Sequence, residues 1–146
     1  MKKTVAITIA TIAFVLDQAL KIGSTQLQTP IGIYTHTINS GITFGFLPGA
    51  NVAMVLISVA ALALLVYASQ QETGLAYFSL ALITAGVASN GIDRVVHGGV
   101  IDYIRIGTFP IFNIADTVII CGVALLIGLE VEKRFQKSSK SSRSSR

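Results

Sequence analysis

Four aspartates, Asp17, Asp93, Asp102 and Asp116, lie in or beside apolar segments, and outside the charged tail they are nearly the only acids of the chain. An ionised carboxylate is costly near hydrocarbon, so acids in such places are retained for function or held by a named partner. Asp17 and Lys21 stand at i, i+4 and share a helix face, where they form either an ion pair with a snorkelling lysine or a substrate contact. Asn90, Asp93 and Arg94 also share one face. Asp93 and Arg94 are expected to neutralise each other or fix a neighbouring helix, and the Asn90 amide offers a donor and an acceptor for a peptide backbone. Asn113 and Asp116 follow Pro110 with the spacing of a helix cap, an arrangement that keeps Asp116 ionised. Asp102 has no such explanation. It sits in Gly99-Val100-Ile101-Asp102-Tyr103-Ile104, and an extended chain turns Arg105 to the opposite face. A poorly solvated carboxyl holds its proton. One protonated acid facing one carboxylate is the arrangement that activates water in aspartic proteases.

The elements that must position these groups are membrane helices. The chain has 146 residues, 52% hydrophobic and 12% charged, with mean hydropathy +0.71. Soluble domains carry about a quarter charged residues. Four apolar segments, 5–22, 52–69, 75–92 and 112–129, are each long enough to cross a bilayer core. The first follows Met1-Lys2-Lys3 like a signal peptide, but Asp17 interrupts it and three more segments follow, so it is read as a retained helix. The stretch 24–49, with Pro30, Pro48 and the patch Ile31 to Ile38, suggests short surface strands, and 95–111 reads as a loop with a strand or turn. Within the first stretch, Asn39-Ser40-Gly41 is either a turn or a lip that contacts an extended substrate. The fold class is therefore an all-α membrane protein, one domain over 1–146, with four transmembrane helices and a small β-rich outer element.

Lysine and arginine placement favours both termini in the cytoplasm. Lys2, Lys3, Lys133, Arg134, Lys137, Lys140, Arg143 and Arg146 then lie inside, and Lys21, Arg94 and Arg105 outside, which puts all four aspartates at the outer face. The basic, serine-rich tail 133–146 reads as a cytoplasmic segment attracted to anionic headgroups and disordered at its end, not as a nucleic-acid site. Cys121 is alone in an apolar run, and His36 and His97 are far apart, so no metal site and no cofactor are expected.

Five ordered pieces carry a resemblance. Asp17-Gln18-Ala19-Leu20-Lys21, Asn39-Ser40-Gly41-Ile42-Thr43-Phe44-Gly45, Asn90-Gly91-Ile92-Asp93-Arg94, Val100-Ile101-Asp102-Tyr103 and Phe112-Asn113-Ile114-Ala115-Asp116 resemble the motifs of signal peptidase II, the bacterial lipoprotein signal peptidase. Ser89, Thr43 and Tyr103 stand where that family commonly has glycine, alanine and phenylalanine. The resemblance implies an aspartic endopeptidase of the bacterial cytoplasmic membrane, with four helices and an extracytoplasmic β-cradle. Its substrate would be a diacylglyceryl prolipoprotein, cut just before the lipidated cysteine. It implies Asp102 and Asp116 as the catalytic pair, and Asp17, Lys21, Asn39, Gly41, Asn90, Asp93, Arg94 and Asn113 as the surrounding pocket. Of these, Asn39, Asn90 and Arg94 are the candidates to hold substrate or a tetrahedral intermediate. A monomer among membrane lipids is expected. The competing readings are a proton-coupled carrier, for which the inner halves of the helices offer no acid or histidine relay, and a non-enzymatic membrane scaffold.

Overall fold

The computed structural model describes residues 1–27, 29–40 and 50–144; Gly41 and the rest of the segment up to Gly49 lie outside the described residues. In chain order the elements are α1 (Lys3–Ser24), β1 (Tyr34–Asn39), α2 (Ala50–Gln71), α3 (Gly74–His97), β2 (Val100–Ile104) and α4 (Ile114–Ser144). All four helices are long and apolar enough to cross a membrane. Each runs beyond the apolar segment that announces it, because its last turns carry the polar residues. The α3 helix in particular continues through Arg94 to His97, into the stretch expected as loop. Disorder was expected at the end of the tail; α4 continues as helix to Ser144, and residues 145–146 lie outside the described residues. Lys133 Nζ bonds Glu130 Oε1 at 2.7 Å and Gln136 Nε2 bonds Glu132 Oε1 at 3.0 Å, so local side-chain pairs support the first turns of that extension.

The bundle is built around α3, which packs against α1, α2 and α4, while α1 also meets α4. Close approach of α3 and α4 depends on small residues, as is usual where the surrounding lipid is as apolar as the side chains. A Cβ on Gly86 would lie 2.6 Å from the Ala115 carbonyl oxygen, and one on Gly122 would lie 2.8 Å from that of Ser79. The α1 helix inverts the pattern of a soluble helix. Ala6, Ala10, Asp17, Lys21 and Ser24 are buried on one stripe, while Ile7, Ile12, Val15 and Ile22 face outward. Its buried polar residues, Asp17, Lys21 and Ser24, gather in the last two turns, which decides which end of the bundle holds the site.

At that end α3 stops at Gly98, whose left-handed conformation (φ 73°) turns the chain directly into β2. The two strands form an antiparallel ribbon in which Thr37 faces Asp102 and Asn39 faces Val100, with an irregularity between Tyr34 and Thr37. Phe112 then pairs with Ile104, its carbonyl accepting the Tyr103 and Ile104 amides, and this returns the chain to the start of α4.

Candidate active site

The four aspartates meet in one polar network. Lys21 is its centre, 1% exposed, with Nζ at 2.7 Å from both Asp17 Oδ2 and Asp93 Oδ2 and at 2.9 Å from Asn90 Oδ1. The expected Asp17–Lys21 pair is therefore present but fully buried, with no snorkelling to a headgroup. The pairing expected between Asp93 and Arg94 is not made: Asp93 turns to Lys21, to the Ile101 amide (3.0 Å) and to Gln18 Nε2 (3.1 Å). Adjacent residues on a helix diverge by about 100°, so Asp93 and Arg94 address different neighbours. Arg94 Nη1 reaches the Asn90 carbonyl at 3.3 Å, and its Nε is buried without a partner among the described residues.

Three residues that the sequence reading did not assign to the site complete this layer. Ser89 Oγ donates to Asp17 Oδ2 at 2.6 Å and accepts from Gln18 Nε2 at 2.9 Å. Tyr103 OH donates to Asp17 Oδ1 at 2.8 Å and accepts from the Ile114 amide at 3.2 Å. Burial, and then the charge of Asp17, hold the Tyr103 phenol far above its ordinary range, which keeps it a donor. Its sequence signal was its place in the motif piece that carries Asp102. Gln18 likewise lies inside the Asp17–Lys21 piece, and Ser89 directly precedes Asn90.

Above this layer lie Asp102 and Asp116, brought together by two asparagines. Asn113 is fully buried and caps α4: its Oδ1 accepts the Asp116 amide at 2.7 Å, while Asp116 Oδ2 accepts the Asn113 amide at 3.3 Å. This reciprocal pair is a capping box with an acid at its third position. Asn113 Nδ2 meanwhile donates to Asp102 Oδ1 at 2.8 Å and to Asn90 Oδ1 at 3.2 Å. Asn90 Nδ2 donates to Asp116 Oδ1 at 2.8 Å. Asn90 is thus already occupied by Lys21, Asn113 and Asp116, so its amide is not the open backbone clamp expected from its spacing. Asn39, at the end of β1, donates from Nδ2 to Asp102 Oδ2 at 3.1 Å. Asp102 itself is 3% exposed. Burial pushes its carboxyl up to about 6; bonds from Asn39 and Asn113 pull it down, and the neighbouring Asp116 charge pushes it further up.

Fold and polar cluster together define a four-helix membrane protein with a carboxylate-centred site at one end of the bundle. A family model described as signal peptidase (SPase) II matches residues 9–131. A lipoprotein signal peptidase of Halothermothrix orenii is 37% identical over 95 residues, covering 64% of this chain and 66% of the relative. One of Polynucleobacter necessarius is 33% identical over 153 residues, covering 92% of this chain and 94% of the relative. A solved bacterial membrane enzyme, determined by the in meso method at 2.3 Å resolution, matches with TM-score 0.81 at 29% identity over 92% of both chains. The chain belongs to the signal peptidase II family, proteases of lipoprotein processing.

Proposed function

We propose that this protein removes signal peptides from diacylglyceryl prolipoproteins, cutting before the lipidated cysteine with a water activated between Asp102 and Asp116. The observation that carries this reading is the linked pair itself: two carboxyls at one end of the bundle, joined through Asn113 and Asn90, one of them holding its proton far more tightly than a free aspartate. A dyad needs one acid and one base at the same pH, and divergent environments supply that. Asp116, placed at a helix N-terminus and bonded by an amide, is the carboxylate that takes a proton from water. The hydroxide adds to the scissile carbonyl carbon. As the tetrahedral intermediate collapses, the carbon–nitrogen bond breaks and the Asp102 proton passes to the leaving nitrogen. The pair still holds one proton, now on Asp116, and a single transfer resets it. Arg94 and Asn39 remain as contacts for the substrate backbone or the intermediate, together with Gly41. Both termini lie in the cytoplasm and the site opens at the extracytoplasmic face, where the lipid tails of the substrate stay in the bilayer while its cleavage site reaches the ribbon.

The test is cleavage of a diacylglyceryl prolipoprotein by Asp102→Asn and Asp116→Asn, each reconstituted in lipid. Each variant is expected to lose at least about a thousandfold in kcat, as when one member of a catalytic unit is removed. Full cleavage by either excludes the dyad.

A further inference from the structure

The strand that carries Asn39 is fastened to α1 at two points that the mechanism above does not use. Ser24, the last residue of α1, is fully buried, and its Oγ donates to the Lys21 carbonyl at 2.7 Å. A hydroxyl has one proton to give. The contact between Ser24 Oγ and His36 Nδ1, at 3.0 Å, must therefore run the other way, with the imidazole donating. Both the imidazolium and the Nδ1–H neutral tautomer can do this. Two residues earlier on β1, Tyr34 OH donates to the Leu20 carbonyl. That approach needs Gly23: a Cβ there would lie 2.9 Å from the phenol oxygen. The Tyr34 ring also packs edge-on against Tyr103, at 5.9 Å between centroids.

Tyr34 stands at the edge of the irregularity between Tyr34 and Thr37 and His36 lies inside it, where the register of the ribbon is least defined by its own ladder. A shift there would move the Thr37–Asn39 end of β1, and with it the Asn39 amide that donates to Asp102. From this geometry we infer that the His36–Ser24 bond is a latch that sets the position of Asn39 against Asp102, making His36 and Ser24 positioning residues for cleavage. The inference rests on the reading of Asp102 as a member of the catalytic pair.

The test is steady-state cleavage of a diacylglyceryl prolipoprotein by reconstituted His36→Ala, His36→Asn, Ser24→Ala, Asn39→Ala and the double variant His36→Ala/Asn39→Ala, with Asp102→Asn alongside. His36→Ala should lower kcat roughly five- to thirtyfold, the size of one lost buried hydrogen bond, with KM little changed. The alkaline limb of its pH profile should move upward with that of Asn39→Ala, because the Asn39 bond is one of those that lower the Asp102 carboxyl. His36→Asn presents an amide N–H where Nδ1 stood and should restore most of the rate. The double variant should be no slower than Asn39→Ala, since both lesions break one chain of contacts. Parental kcat in His36→Ala, or multiplying losses in the double variant, overturns the latch. If His36→Ala does not fold, Ser24→Ala carries the same expectation, and its parental kcat overturns the latch equally. An active Asp102→Asn would instead sink the dyad, and an inactive one beside a fully active His36→Ala sinks the latch alone.

Discussion

At the scale of single residues, the Asp102 carboxyl is raised from 3.8 to about 6, chiefly by burial. A group that binds its proton more tightly when folded adds stability below its unfolded value and loses it as pH rises through the folded one. The wild-type melting temperature, relative to Asp102→Asn, should therefore fall as pH rises from about 4 to about 6.5. Differential scanning of both proteins across that range checks it, and parallel curves would count against the burial account. Lys21 gives a second prediction. It is a buried cation between two carboxylates, so Lys21→Met leaves two charges with one fewer counter-charge and should destabilise by about 3–5 kcal/mol, read from unfolding in detergent.

At the scale of elements, the start of α4 does two jobs through one side chain. Asn113 caps the helix that carries Asp116 and donates to Asp102, so helix geometry and the geometry of the proposed dyad are set together. Asn113→Ala should cost about 1–2 kcal/mol for the cap alone and also impair cleavage. Asn113→Ser separates the two roles: a serine caps well but is too short to reach Asp102, so stability should largely return while kcat stays low. Recovery of both in the serine variant would make the Asp102 bond dispensable. The ribbon is the other positioning element. A Cβ on Gly99 would lie 2.8 Å from the Asn39 carbonyl oxygen, so β2 passes this close to β1 only because that position is bare.

For the whole molecule, the polar end and the apolar remainder are divided along the bundle axis. No residue in the exposed face of α2 from Val52 to Tyr67 is charged, consistent with lipid on that side. The eight-to-three split of basic residues is the observation behind the proposed cytoplasmic placement of both termini. Reporters fused after Arg146 that are active only in the cytoplasm should therefore be active, and a cysteine placed at Gly107 should react with an impermeant thiol reagent from outside. The opposite pattern would invert the topology and move the site to the wrong face for a translocated substrate.

How much of this was legible beforehand differs by scale. Four helices followed from apolar length alone, because a bilayer core demands about 20 residues of helix and little else. The cap of Asn113 on Asp116 was equally readable, being a contact three residues apart along one chain. The ordered motifs were enough to mark Asp17, Lys21, Asn90, Asp93 and Asp102 as residues of one site. What the sequence by itself determined was thus the set of polar residues and the helices that carry them. Their partners were decided only by the tertiary structure. Asp93 chose Lys21, 72 positions away, over its neighbour Arg94, and Asn90 was drawn inward to Asp116. Ser89 became a donor to Asp17, and His36 found Ser24. Local spacing says which side chains share a face. It does not say which foreign carboxylate that face will meet once α1, α3 and α4 pack with glycines at their contacts, and in a site with so little water each polar atom must take the partner that packing brings within reach.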